Sequence, residues 1–421
     1  MKYRYLSENI KQIQSGPRGR LLVLTGARQT GKTTLVRHLF PGHHYLSMED
    51  PHVRVEFERL SASDWAVRYP SAIIDEVQKL PSLFEVLKAA YDSYPDVRYL
   101  LLGSSQILLL KKVRESLAGR VAIQELFPLT LPEILSESRE DKSPPSRLLK
   151  LVGTKEKKEI ISILQQEVSA DSRFAKAQEA WGLFLNRGGM PALYNPDFSE
   201  GDLKGWMEDY LLTYLQRDLS DLAQLERLEP FVKCQRALAA RSGRMVNFAE
   251  LARLAEVSPP TARKFLQYME LSYQTILLPA YFKNEDKRLS KMPKIHFLDP
   301  AVRRGLLRRQ GEIDGLEFES SVVAEVYKQI KTFRIPASLY HLRTVDGREI
   351  DLILETEEGF IAIECKLTGQ VAKSDFRHLV GLEGILGKPL LAGIVVSQEP
   401  RIKVWDNDLC LISVPAAYLL T

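Results

Sequence analysis

Eight consecutive residues, Gly26, Ala27, Arg28, Gln29, Thr30, Gly31, Lys32 and Thr33, follow the pattern G-x-x-x-x-G-K-[ST]. Glycines at that spacing let the backbone wrap closely around an anion, with successive N–H groups pointing inward. The lysine then reaches the outer phosphates of a nucleoside triphosphate, and the hydroxyl of Thr33 takes its place on Mg²⁺. The flanks fit this chemistry. Residues 20–25 (RLLVLT) read as a short buried strand, and Thr34 opens a segment that reads as a helix. Strand, loop and helix in that order predict ATP or GTP binding. The alternative is a glycine-rich turn with a stray lysine.

A hydrolase also needs a metal anchor and a base. Asp75-Glu76 closes the apolar run 72–75, about forty residues after the loop. Asp75 is the natural Mg²⁺ anchor, and Glu76 is placed to polarise the attacking water. Otherwise the two are a solvated carboxylate pair. The run 98–102 ends in Gly103-Ser104-Ser105, which puts Ser104 either near the γ-phosphate or at an ordinary helix N-cap. Arg120 follows Gly119, which reads as a helix C-cap. It lies beyond the far end of that helix, within reach of a neighbouring subunit's nucleotide, or else in a surface ion pair.

A second constellation lies near the C-terminus. Residues 348–354 and 360–367 form a hairpin pattern. A strand period of two puts Glu364 and Lys366 on one face, with Asp351 on the partner strand. This is the PD-(D/E)xK arrangement, two carboxylates for Mg²⁺ and a lysine for the water. Glu319, on a preceding helical stretch, is a third candidate acid. Ile350 stands where the pattern usually has proline, so cleavage and an inert DNA-contact or scaffold role both stay open.

Between these sites, residues 247–255 and 258–269 read as two helices joined by a short turn, capped by Asn247 and by Ser258-Pro259. A β-hairpin wing is expected over 275–297. Residues 231–296 hold twelve Lys/Arg against five Asp/Glu, a larger positive excess than the +4 of the whole chain. Thr261, Arg263, Lys264 and Gln267 on the second helix, and Lys283, Lys287, Arg288, Lys291 and Lys294 on or near the wing, are the candidate DNA contacts. Such charges give affinity without sequence preference. A protein-packing module with a solvated basic face is the other reading.

The elements that must position these groups follow from periodicity. Apolar runs at 44–47, 72–75, 98–102 and 121–126 alternate with helix-length segments. That pattern implies a mostly parallel sheet covered on both faces, with ligands at the carboxyl ends of its strands. The 421 residues allow two to four domains, and the composition, 45% hydrophobic and 27% charged, is that of a globular protein. Three distant cysteines give neither a disulfide framework nor zinc spacing. No signal-peptide pattern or membrane-length apolar run is read, so a cytoplasmic location without membrane contact is expected.

The stretches GARQTGKTT, IIDEVQKLP, LLLGSSQ and SLAGRVAIQELFPLTLPEIL resemble AAA+ ATPases. More narrowly, the chain is similar to bacterial and archaeal P-loop proteins whose C-terminal region is a domain of unknown function with a nuclease-like core. The resemblance implies an α/β fold in four parts: an ATPase core at 1–135, a linker and helical lid at 136–229, a winged helix at 230–300, and a restriction-endonuclease-like domain at 301–421. It implies Ser104 as the sensor of the attacking water and Arg120 as an arginine finger in trans. It also implies ATP and Mg²⁺ as cofactors and a homo-oligomer, such as a ring. Residues 186–191 (NRGGMP) resemble the hinge of a helical lid. The arginine such motors carry after that proline is Ala192 here, with Arg187 or Arg217 as possible substitutes. The expected activity is a DNA-dependent ATPase that translocates on or remodels duplex or branched DNA. An ATP-regulated nuclease and a nucleotide-driven switch or scaffold are the alternatives.

Overall fold

The computed structural model describes residues 2–103, 106–165, 172–223, 228–284, 286, 288 and 291–421, without the side chains of 106–108, 172 and 214–223. Five strands, β1 (Leu21–Thr25), β2 (His44–Ser47), β3 (Ser71–Asp75), β4 (Arg98–Leu102) and β5 (Val121–Glu125), pair in parallel in the order β2-β3-β4-β1-β5. Parallel strands buried on both faces need near-continuous apolar runs, and LLVLT of β1 is buried throughout. Leu22 and Leu24 face a layer made by α1 (Leu6–Ser15) and α2 (Lys32–Leu39). Leu21 and Val23 face the opposite layer of α3 (Pro51–Glu58), α4 (Ala62–Arg68), α5 (Leu83–Ser93) and α6 (Gln106–Ser116), where Trp65, Phe84 and Val113 pack. This order sets β4 between β1 and β3. The phosphate loop, Gly103 and Asp75 therefore share one edge of the sheet.

After α7 (Leu131–Leu135), the segment read as a lid packs elsewhere. Helices α8 (Arg147–Val152), α9 (Lys157–Gln165) and α10 (Ser172–Arg187) bury Leu148, Leu151, Ile160, Leu164, Trp181 and Phe184 with Phe318, Val322, Ile361, Ile363 and Val414. The cause is the C-terminal sheet, whose apolar strands must be covered on both faces. Helix α11 (Glu200–Ala223) runs against the helix Pro300–Leu307, where Gly305 leaves room for Met207 and Leu211.

The basic region folds as α12 (Glu229–Ala240), β6 (Arg244–Met245), α13 (Phe248–Ala255), α14 (Pro259–Leu271), β7 (Thr275–Leu278) and β8 (Lys294–Phe297). The three strands pair antiparallel in the order β6-β8-β7. Both expected N-caps form: Asn247 accepts from Glu250 N at 3.1 Å and Ser258 from Thr261 N at 3.3 Å. Instead of a free wing, the described residues of the β7–β8 connection dock on the next domain. Tyr281 N donates to His341 O at 2.7 Å, and His341 N to Pro279 O at 2.9 Å.

The C-terminal sheet contains β9 (Ser338–Arg343), β10 (Glu349–Glu355), β11 (Phe360–Cys365), β12 (Leu390–Ser397), β13 (Lys403–Asp406) and β14 (Leu411–Pro415) in the order β13-β14-β12-β11-β10-β9. The helix Gly315–Thr332 lies on one face with α8–α10. Val371, Phe376, Leu379 and Leu382 cover the other. Lys328 of that helix is fully buried and donates to Leu129 O at 2.7 Å, tying this domain to the exit of the first.

Candidate active site

The phosphate loop is shaped by backbone conformations that its sequence permits. Gly26 has φ +143° and Gly31 φ +89°, the region where glycine carries no steric cost. A β-carbon on Gly26 would overlap the carbonyl oxygen of Leu126. Lys32 is folded over the loop, its Nζ donating to Gly26 O and Ala27 O at 2.8 Å each. Thr30 Oγ1 donates to Ala27 O at 2.8 Å, closing the turn from inside. The buried guanidinium of Arg4 donates to Thr30 O at 3.0 Å and pairs with Glu133 at 3.3 Å, buttressing the loop from behind. Gln29 (φ 59°) and Thr34 are exposed, at the loop tip and in the first turn of α2, whose N–H groups favour an anion there.

Asp75 meets the loop at its lysine end. Thr33 Oγ1 donates to Asp75 Oδ2 at 2.7 Å, and Tyr45 OH to the same oxygen at 2.9 Å. A hydroxyl and a carboxylate in contact are the hard oxygen donors that Mg²⁺ prefers, so these residues fit a Mg²⁺–triphosphate. Burial and the Asp75 charge push the Tyr45 phenol up to about 12. Glu76 adopts the left-handed conformation (φ 53°), which a non-glycine residue holds only where its surroundings impose it. Its N–H donates to Asp75 Oδ1 at 3.0 Å, and Gln78 Nε2 donates to its Oε2 at 2.5 Å. Gln78 in turn lies against Gly103, where a β-carbon would displace it. Sequence reasoning misses Arg4, Tyr45 and Gln78, because nothing in their spacing marks them.

Ser104, like Lys287, lies outside the described residues. Arg120 sits at the amino end of β5, the opposite edge of the sheet from the loop. It is bidentate to Asp92, Nε to Oδ1 at 2.8 Å and Nη2 to Oδ2 at 3.0 Å.

One side chain joins this site to the basic module. Tyr273, just past α14 and itself left-handed (φ 61°), donates its OH to Glu125 Oε1 at 2.8 Å. The Tyr273 hydroxyl oxygen also lies 2.9 Å from the Oγ1 of Thr25, the residue before Gly26. Beside it, Glu270 lines a cavity of about 180 Å³ together with Glu125, Tyr273 and Tyr327. Burial raises the Glu270 carboxyl from its ordinary 4.5 to about 7. Its stabilising contribution is therefore complete below the unfolded pKa and is lost as pH rises through about 7. Glu270→Gln is expected to remove that decline. Urea unfolding at about pH 5 and about pH 8 checks it. The variant should gain on the wild type at the higher pH, and a difference independent of pH would refute the assignment.

The basic residues divide. Arg263, Lys264 and Gln267 are exposed on α14, with Arg263 over the Phe248 ring at 4.3 Å and Lys264 near Tyr268 at 5.6 Å. Lys291 is exposed, and Lys283 lies 3.4 Å from Gly384 O. Thr261 is half-buried and bonded to Ser258 at 2.9 Å. Arg288 turns inward instead of standing on a wing: it stacks on Tyr281 and Tyr340 and pairs with Glu355 at 3.3 Å. The docked connection places it there.

At the C-terminal constellation, Lys366 Nζ lies 3.0 Å from Glu364 Oε2, as a shared face requires. Asp351 Oδ2 accepts from Cys365 N at 2.9 Å. Glu319 lies close by, but between it and Asp351 sits Lys294, also expected near the wing and in fact 3% exposed. Among the described residues, no group of three or more His, Cys, Asp or Glu forms a metal-holding set. Burial, reinforced by the Asp351 charge, raises the carboxyl pKa of both Glu319 and Glu364.

Comparison with known proteins agrees with the geometry of the first domain. A family model described as an AAA domain matches residues 18–135, and two domains of unknown function match later segments: DUF8612 at 178–312 and DUF4143 at 314–417. The Walker-type ATPase PABY2304 of Pyrococcus abyssi aligns with a TM-score of 0.43 at 16% identity, over 72% of this chain and 94% of that one. Among the described residues, no helix is long and apolar enough to cross a membrane. The uncharacterized proteins Rv2008c of Mycobacterium tuberculosis and Mb2031c of Mycobacterium bovis are each 30% identical over 419 residues, 96% of this chain and 82% of theirs. The chain belongs to the family of these two mycobacterial proteins, as a P-loop ATPase of the AAA type with a C-terminal DUF4143 domain.

Proposed function

We propose that this protein is an oligomeric, DNA-dependent ATPase whose α13–α14 unit, the helix pair of a winged helix with its wing docked, grips duplex or branched DNA, so that hydrolysis drives translocation or remodelling. The observation that carries this reading is the Tyr273 hydroxyl. It joins the C-terminal end of α14, with its exposed Arg263, Lys264 and Gln267, to the strand that feeds the phosphate loop. In this reading Lys32 and the loop N–H groups hold the β- and γ-phosphates of ATP, and Thr33 and Asp75 hold Mg²⁺. When bound, Mg²⁺ neutralises charge on the phosphate oxygens. Glu76, oriented by Gln78, accepts a proton from the attacking water. Ser104 helps position that water. Arg120 of a neighbouring subunit stabilises the developing charge, exchanging Asp92 for phosphate. The open edge of charge on α14 contacts the DNA backbone.

ATP turnover measured without nucleic acid, and with single strands, linear duplex and a four-way junction, tests this, with Lys32→Ala as the blank. One DNA form should stimulate strongly. Replacing both Arg263 and Lys264 with alanine should abolish that stimulation, weaken DNA binding and reduce the salt slope by about two. Turnover indifferent to every nucleic acid would overturn the reading in favour of a nucleotide-driven switch or scaffold.

A further inference from the structure

Lys294 opens β8 in the sheet of the basic module, yet its ammonium lies inside the C-terminal domain. Nζ is 2.8 Å from Glu349 Oε1, 3.1 Å from Glu319 Oε1 and 3.5 Å from Asp351 Oδ1. The three acids come from two elements, the helix Gly315–Thr332 and β10. Beside them, the Glu364 carboxylate is 4% exposed, and its Oε1 has no hydrogen-bond partner among the described residues. The His378 ring lies 3.9 Å from that oxygen. Three buried carboxyl groups and the part-exposed Glu349 thus gather around the Lys294 ammonium, with the part-exposed Lys366 Nζ 3.0 Å from Glu364 Oε2.

Buried carboxylates require a cation, or a proton, to be held together. A divalent ion on Asp351, Glu319 and Glu364 would carry two positive charges into the space around the Lys294 ammonium. Like charges that close, screened by protein rather than water, repel strongly. Three carboxylates within 3.5 Å of Nζ are the counter-charges that hold the Lys294 ammonium in place. The residues as folded do not fit a divalent metal, although the acids themselves are of the right type.

We propose that Lys294 is an intramolecular cation that closes the Glu319–Asp351–Glu364 cluster to divalent metal, and that taking its charge away converts the cluster into a Mn²⁺ or Mg²⁺ site. The lock comes from outside the domain it closes. Metal entry thus requires the start of β8 to withdraw, which ties any metal chemistry of the C-terminal domain to the position of the basic module.

The test uses the full chain, free of nucleotide, in an Asp75→Asn background that silences the carboxylate of the nucleotide site. Mn²⁺ binding is followed by electron paramagnetic resonance and by calorimetry. Lys294→Met is expected to gain one Mn²⁺ equivalent, about a hundredfold tighter than any binding by the parent, and to lose it on adding Asp351→Asn. Lys294→Arg, which keeps the charge, should stay closed. A folded Lys294→Met chain that takes up no Mn²⁺ overturns the proposal, and so does a parent that binds Mn²⁺ equally well through Asp351. If Lys294→Met does not fold, the parent alone decides. Its melting temperature should be the same in Mn²⁺ and in EDTA, and a rise with Mn²⁺ that Asp351→Asn abolishes would refute the lock. None of these readouts depends on ATP turnover.

Discussion

Replacing Glu76 with glutamine should lower ATP turnover by about 10²–10⁴-fold while nucleotide binding persists. The side chain is the same size and can still contact Gln78, so the loop and the Thr33–Asp75 contact are undisturbed. Only the ability to take a proton from water is lost. Turnover and binding of a fluorescent nucleotide, measured on the same preparation, separate the two effects. Equal losses in both would mean that Glu76 shapes the site instead of acting on water. A smaller fall is expected for Gln78→Ala, because Glu76 then keeps its backbone conformation but not its aim.

The second large effect is on stability. Lys328 is fully buried, 2.8 Å from Glu325 Oε2 and 2.7 Å from Leu129 O, with the Phe184 ring 4.3 Å away. Glu325 Oε1 meanwhile accepts from Leu131 N and Gln329 Nε2, each at 2.7 Å. Lys328→Ala would leave a buried carboxylate without its counter-charge and a carbonyl without its donor. The expected cost is about 3–5 kcal/mol, read from urea unfolding. Combining Lys328→Met with Glu325→Gln should recover most of it, because neither group then carries an uncompensated charge. A loss below about 1 kcal/mol for the single variant would mean that water reaches the pair.

The nucleotide domain is legible in the sequence because its signals are local. Buried parallel strands need runs such as LLVLT and RYLLL, and the loop needs glycine at 26 and 31. The two helices of the basic module are legible for the same reason, since Asn247, Ser258 and Pro259 declare where they begin. What stays hidden depends on contacts between distant segments. The resemblance places a linker and helical lid at 136–229, but the apolar faces of α8–α10 are satisfied by a sheet more than a hundred residues later. Strands β9 and β12–β14 escape because short apolar runs carry no label of their own. Arg288 and Lys294 look like any surface cation in sequence. Only the docking of the β7–β8 connection turns them inward, one onto two tyrosines and the other into a nest of acids. Glu349, which completes that nest, has no motif to announce it.

The Tyr273 hydroxyl bridging Thr25 and Glu125 has a thermodynamic corollary. A joint of this kind cannot carry influence in one direction only. If a ligand held on α14 alters the affinity of the phosphate loop by some factor, occupancy of the loop must alter the hold on that ligand by the same factor. Tyr273→Phe would then loosen both couplings together, and the two equilibria, each measured with and without the other ligand, would drift toward independence.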